Sequence, residues 1–269
     1  MPDKRIISLV PLATEIIFAF GLHEQLVGCS QACDIPDSLP DVPVFTSVDI
    51  NAVVLANLHP DLIFVSEQQF AEVKEQLLSE VEIYTVKADS IADLPRIILE
   101  IGEILDRLNV AEELTERLND RINIIKHKLK FIDNKQTVAC ITSVAPLKWE
   151  NQATAQLIEI AGAKILVTEN GEVVDFDQIR IQDPEVIIMM PSGYSIQQSL
   201  QNINTLLDLQ GWNELSAVKN NKVFIADGAE YFGQLCLSSV DSIEILAEIL
   251  HPKQFIFGYE DSGWIKFNV

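Results

Sequence analysis

The sequence is poor in the residues that carry most metal and redox chemistry. Its four histidines, His23, His59, His127 and His251, are dispersed, and none has the spacing of a zinc-binding helix. The four cysteines, Cys29, Cys33, Cys140 and Cys236, are too few and too scattered for a disulfide framework. Cys29 and Cys33 make a CxxxC pair with no second pair to complete a metal site. Cys140 lies inside an apolar run and reads as a small buried hydrophobe. No glycine-rich phosphate loop follows any strand pattern, so nucleotide binding lacks its backbone cradle. Positive charge is also scarce. Nineteen Lys+Arg stand against 40 Asp+Glu, a net charge of −21, which argues against nucleic acid as a partner and otherwise describes a well-solvated acidic surface. Apolar runs such as 186–191 and 138–141 are strand-sized, far short of a bilayer span. Only Met1 to Lys4 precede the first strand pattern. That reads as the absence of an export signal and predicts a cytoplasmic protein with reduced thiols.

What the sequence does hold is α/β patterning. A β-branched run from Arg5 to Val10 ends at Pro11, an apolar-periodic helix through Ile16, Ile17 and Phe20 closes at Gly21, and a short strand begins near Leu26. The loop between this first strand and helix is where such folds place ligands. At 269 residues with 48% hydrophobic content, the chain can build two cored lobes. It also echoes itself. LANLHPDLIFVS at 55–66 and RIQDPEVIIMMPS at 180–192 both run from a helix end through Pro-acid into a buried strand. RIISLVP at 5–11 and TVACITSVAP at 137–146 both run from a strand into a Pro-containing loop, with Pro11 set against Pro146. The echoes come in the same order, predicting an N-terminal α/β lobe over 1–109 and a C-terminal lobe with its tail over 132–269. One candidate helix covers 92–108. A second, over 110–131, carries an apolar stripe of Val110, Leu114, Leu118, Ile122, Ile125 and Leu129, with acids crowding its start and lysines its end. At about 30 Å it is long enough to connect two lobes.

These segments, together with KVFIADGAEYF and SSVDSIEILAEILHP in 222–252, resemble the cobalamin and ferric-siderophore class of periplasmic-type substrate-binding proteins, the partners of ABC importers. Within that class the chain is most similar to a cobalamin-binding branch. The resemblance covers nearly the whole chain. It implies the class III substrate-binding-protein fold, two Rossmann-like lobes joined by a single long α-helix, with a ligand in the cleft between them and no covalent chemistry. Four departures fall in loops that this resemblance places at the cleft. The family's SLxPSATE has Leu12 at its second serine, leaving Glu15 without the hydroxyl of a capping box. HECDYP becomes QACDIP, retaining Asp34 and Pro36. A Trp-containing segment becomes ENQATAQLIEIAGA, with Trp149 a few positions early. Arg-Pro-Gly-Pro becomes the stretch from Gln234 to Ser238. Exported members of the class dock on their permease through one glutamate per lobe, seven residues before the Pro of each Pro-acid strand. Those positions are Val53 and Asp177, so one carboxylate is lost and the other shortened.

The candidate ligand contacts lie in loops after strands: Pro11, Leu12, Asp34 and the amide of Gln68 in the first lobe, and the aromatics Trp149, Tyr194, Tyr231 and Phe232 in the second. Flat apolar area with a few orienting polar groups suits cobalamin or another tetrapyrrole or metal chelate, held without a cofactor or resident metal. The expectation is a non-enzymatic, acidic, intracellular binding protein for a small-molecule ligand. An ABC permease is its candidate partner through Asp177, and nucleic acid and membrane insertion are excluded. Two rivals remain. A chelatase-like enzyme would depend on Asp34 or Glu67. A degenerate interaction protein would have its cleft closed by Leu12 and Leu235-Cys236. The tail aromatics Phe255, Phe257, Trp264 and Phe267 are expected to pack back on a lobe.

Overall fold

The structure, a computed structural model, describes residues 4–33, 42–45, 51–76, 81–132, 134–144, 146–149, 152–166 and 176–268. Asp34 and Pro36 lie outside the described residues. The chain divides into two compact units, one of residues 1–117 with Leu235–Leu237, the other of 118–234 with 238–269.

The first unit begins with β1 (Ile6–Ser8), α1 (Pro11–Ala19), β2 (Leu26–Ser30), β3 (Val44–Phe45), α2 (Ala52–Leu58) and β4 (Leu62–Val65). It continues with α3 (Glu67–Gln76), β5 (Glu82–Thr85), α4 (Leu94–Ile104) and the start of α5 (Leu108–Leu129). Its strands form a parallel sheet of order β3-β2-β1-β4-β5. All four residues of β4 are buried, as expected of a parallel strand covered on both faces. The strand expected over 5–10 stops at Ser8. Pro11 is already the first residue of α1, where its missing N–H costs nothing.

The second unit takes the rest of α5, then β6 (Thr137–Val144), β7 (Leu147–Trp149), α6 (Gln152–Ile160), β8 (Lys164–Ile165), α7 (Phe176–Gln182) and β9 (Val186–Met189). After these come α8 (Ile196–Asn202), α9 (Asn204–Leu207), α10 (Ser216–Lys219), β10 (Val223–Ala226), α11 (Ser239–Leu250) and β11 (Trp264–Phe267). The sheet order is β11-β10-β9-β6-β7, with β8 also beside β6. β6, β8, β9 and β10 are parallel, while β7 and β11 run antiparallel at the edges. Trp212 anchors one core beside Phe176, their rings 6.2 Å apart.

The echoed Pro-acid segments build the same device in each unit. α2 and α7 both end on a left-handed residue before the proline, His59 (φ 44) and Asp183 (φ 42), which stops the helix and turns the chain. The acid after the proline then clamps the start of the central strand. Asp61 accepts from the Arg5 amide through Oδ2 at 2.8 Å and donates its own N–H to the Arg5 carbonyl at 2.8 Å. Glu185 accepts from the Thr137 amide through Oε2 at 2.8 Å and donates to the Thr137 carbonyl at 3.1 Å. The register then sets Ile6 against Leu62 and Val138 against Val186. Ile6 therefore corresponds to Val138, and the counterpart of Pro11 is Ser143 rather than Pro146.

The helix expected over 92–108 forms but ends early, so the boundary with the next helix falls sooner than expected. α4 ends at Ile104, Asp106 turns left-handed (φ 54), and α5 starts at Leu108. The apolar stripe of α5 begins at Ala111, which packs where a Cβ on Gly102 would stand, while Val110 faces solvent. In the second unit Arg121 fixes α5 to α11, donating to both Glu244 oxygens at 2.8 and 2.7 Å and to Asp241. The tail packs back as expected, with Phe255 and Trp264 buried. Its path is set by Glu248, buried in α11, which accepts from the amides of Phe257, Gly258 and Tyr259 and from the Trp264 indole.

His251 follows α11 as a buried turn residue, its Nε2 3.1 Å from the Ala161 carbonyl. Burial lowers its pKa from the ordinary 6.5, against the contrary pull of the Ala161 and Gly162 backbone. The unfolded chain therefore binds this proton more readily than the folded one, so stability falls as pH drops below 6.5. The urea midpoint should decrease between about pH 7.5 and about pH 5.5. The decrease should be smaller in His251→Asn; equal decreases in both would remove His251 as its source.

Candidate ligand-binding site

In an open α/β sheet, ligands sit outside the carboxyl ends of strands where the strand order reverses. In the first unit that point lies between β1 and β4, and in the second between β6 and β9. Pro11 and Leu12 follow β1, Gln68 follows β4, Trp149 ends the β7 hairpin after β6, and Tyr194 follows β9. Each unit thus carries its candidates at its own switch point.

Their exposure separates them. In the first unit Leu12 is only 1% exposed and belongs to the α1 core, so it offers a ligand no surface in this conformation. Gln69 is spent on Ser66, accepting from its amide at 3.0 Å and its hydroxyl at 3.1 Å, which leaves the neighbouring Gln68 on the outside of α3. Glu67 pairs with Lys87 at 3.3 Å in the open.

In the second unit the loop after β9 is a rigid platform. Ser192 and Gly193 (φ 76) make a turn closed by the Tyr194 amide donating to the Pro191 carbonyl at 3.0 Å. The Tyr194 carbonyl accepts from the amides of Gly228 and Ala229 at 3.0 and 3.1 Å, tying this loop to the one after β10. Asp227 completes the knot, accepting from the Ala229 and Glu230 amides at 3.1 and 3.0 Å. Gly228 is forced by closeness: a Cβ there would lie 2.0 Å from the Pro191 carbonyl oxygen. On this base Tyr194 stands 42% exposed. Tyr231 is half-buried, edge-on to Tyr259 with ring centroids 5.8 Å apart, and burial with the nearby Glu230 pushes its pKa up to about 12. Phe232 is buried. These two support the platform, and Tyr194 presents a surface.

One arrangement escaped the sequence reading. Glu15, which lacks the serine of a capping box, accepts instead from the Leu237 amide through Oε2 at 2.6 Å. Cys236, next in the chain, also bonds the Glu15 carboxylate, and its thiol is pushed up by burial and by that charge. Beside it, Thr14 Oγ1 lies within hydrogen-bond distance of Ser8 Oγ at 2.8 Å and of the Cys33 sulfur at 3.1 Å. Two departures from the family pattern, that at Leu12 and Glu15 and the Leu235–Leu237 part of 234–238, therefore meet in the first unit. The shared signal was that both depart; no spacing linked them. Burial raises Cys33 as well and Cys29 to about 11, so all three thiols are held protonated, the wrong form for a nucleophile or a metal ligand. Among the described residues, no three His, Cys, Asp or Glu side chains are placed to hold a metal, and no helix is long and apolar enough to cross a membrane.

The docking candidates are also placed. Val53 is 67% exposed on the first turn of α2. Asp177 lies in the first turn of α7 and pairs with Arg180 at 2.8 Å, and Arg180 also lies 3.8 Å from Glu214.

Two α/β units joined through one long helix define the class III substrate-binding-protein fold. The sequence matches the family described as Periplasmic binding protein over residues 6–230, and the chain belongs to it. That is a family of solute-binding proteins, not enzymes. The chain is 25% identical over 270 residues to the vitamin B12-binding protein of Vibrio cholerae, covering 94% of this chain and 91% of that one. It is 22% identical over 262 residues to the uncharacterized ABC transporter substrate-binding lipoprotein YvrC of Bacillus subtilis, covering 94% and 81%. Its fold is similar to that of a possible iron-binding, periplasmic solute-binding protein of Staphylococcus epidermidis, with TM-score 0.76, 24% identity and coverage of 93% and 99%.

These contacts lead to three expected outcomes. Native thiols should resist Ellman's reagent, with four reacting only on denaturation. In Glu15→Ala, Cys236 should react roughly tenfold faster than in the parent, read by peptide mapping. Gly228→Ala should cost about 3 kcal/mol in denaturant unfolding, because the backbone at Pro191 must move. A near-neutral result would show that the two loops are not locked together.

Proposed function

We propose that this chain binds a cobalamin-like compound or another tetrapyrrole or metal chelate, using loop surfaces at the carboxyl ends of its parallel strands. The observation that carries the reading is Tyr194, an exposed aromatic on a platform tied by backbone hydrogen bonds on both sides. A flat side chain carried on a tied backbone loop offers contact area and suits a large planar ligand. The vitamin B12-binding relative supports the ligand class. Pro11, Gln68, Trp149 and Asp34 remain proposed contacts. Tyr231 and Phe232 act by supporting Tyr194, and Leu12 becomes a contact only if α1 repacks. The pocket supplies no cofactor of its own.

The reading also holds that the chain does not engage a permease through a pair of carboxylates. Val53 carries no charge, and Asp177 is paired with Arg180 at 2.8 Å. The family is described as periplasmic and one relative is named a lipoprotein, which gives a cytoplasmic location no support.

The test is an absorption titration of the protein with cobalamin, cobinamide and haem. A saturable one-to-one shift with a corrinoid is expected, weakened roughly tenfold in Tyr194→Ala. A shift with haem alone would move the reading to another tetrapyrrole. Silence with all three would overturn it and favour an interaction protein.

A further inference from the structure

The chain's acidity is not uniform. Of its few basic residues, Lys126, Lys128, Lys130 and Lys135 fall within ten positions at and after the end of α5, accompanied by a single acid, Asp133. Lys253 adds a fifth after α11. All five lysines are exposed. The two segments adjoin within the second unit. Lys128 donates to the Gln254 carbonyl at 3.0 Å and stands 5.1 Å from the centre of the Phe255 ring, and Leu129 and His251 both pack against Gly162. From this patch rise the two most exposed aromatic and aliphatic side chains of the neighbourhood, Phe131 at 78% and Ile256 at 87%. The Phe131 ring lies edge-on to that of His127, one helical turn back, with centroids 5.9 Å apart. Glu159, near Gly162, is an exposed acid at the margin.

We propose that this lysine-ringed patch docks on an anionic phospholipid surface, with Phe131 and Ile256 entering the boundary between headgroups and acyl chains. Charge and shape decide among the occupants. Lysines crowded beside large apolar side chains match a headgroup layer over hydrocarbon, which uses both. A nucleic-acid backbone would use the lysines and leave Phe131 and Ile256 in water, and the patch holds none of the arginines that read base edges. A second copy meeting the same patch across a twofold axis would set five lysines against five. The long-range field of a chain at net −21 opposes approach to the lipid, so contact depends on this face turning toward it. The contact is independent of any ligand bound elsewhere.

The experiment is co-sedimentation of the full chain with phosphatidylcholine vesicles and with vesicles of equal parts phosphatidylcholine and phosphatidylglycerol. It is repeated for K126E/K130E and F131S/I256S. These four side chains are exposed, so thermal melting should match the parent. The parent should bind the anionic vesicles and not the neutral ones, and each double variant should bind at least about tenfold less. Weakening with added salt completes the expected result. The proposal is overturned if the parent binds neither vesicle or both equally, or if neither double variant reduces binding. It is also overturned if the parent prefers duplex DNA, or if light scattering shows a parent dimer that F131S/I256S dissociates.

Discussion

The architecture depends on a carboxylate bonded to the first amide of a central strand. In each unit the acid after a proline bonds the start of an interior strand, Asp61 to Arg5 just before β1 and Glu185 to Thr137 at the head of β6. A parallel sheet has no hairpin to set its register, and a slip of one residue would turn every side chain to the opposite face. The clamp fixes that register at the amino end of the strands, and the carboxyl ends then arrive together at the switch point. Tyr194 and Gln68 stand where they do because Glu185 and Asp61 hold the far ends of their neighbours.

The candidate site divides its labour between residues that present and residues that hold. Tyr194 is exposed because Pro191, Asp227 and Gly228 have taken up the backbone groups around it. Tyr231 and Phe232 have the same aromatic chemistry but spend it on packing. In the first unit Glu15 and the thiol of Cys236 give the segment after β10 a fixed seat beside α1. A binding surface built this way is largely preformed, so a ligand does not have to order it.

Much of this was legible in the residues. The Pro-acid echo pointed to two like units, and a short periodic pattern with its proline located α1 because Pro both ends a strand and begins a helix. The echo was misaligned by three residues because a shared proline is weaker evidence than strand register, and β6 runs on into a hairpin that β1 lacks. The boundary between α4 and α5 was set too late, after 108, because the left-handed Asp106 that makes it carries no signal as strong as glycine's. Exposure was the hardest to read. Leu12, Tyr231 and Tyr194 all follow strands in loop-like sequence, and only the packing separates them. The bond between Glu15 and Leu237 had no local signature, since 222 positions separate its ends.

That separation has a consequence for how the protein is made. Leu235–Leu237 belongs to the first unit while the residues on either side of it belong to the second. During synthesis the Leu237 amide therefore reaches Glu15 only after residues 118–234 have been made. Closing a loop of that length makes this bond a late event and ties the last step of one unit's folding to the progress of the other. The two units are separate in their sheets and cores but share one finishing step.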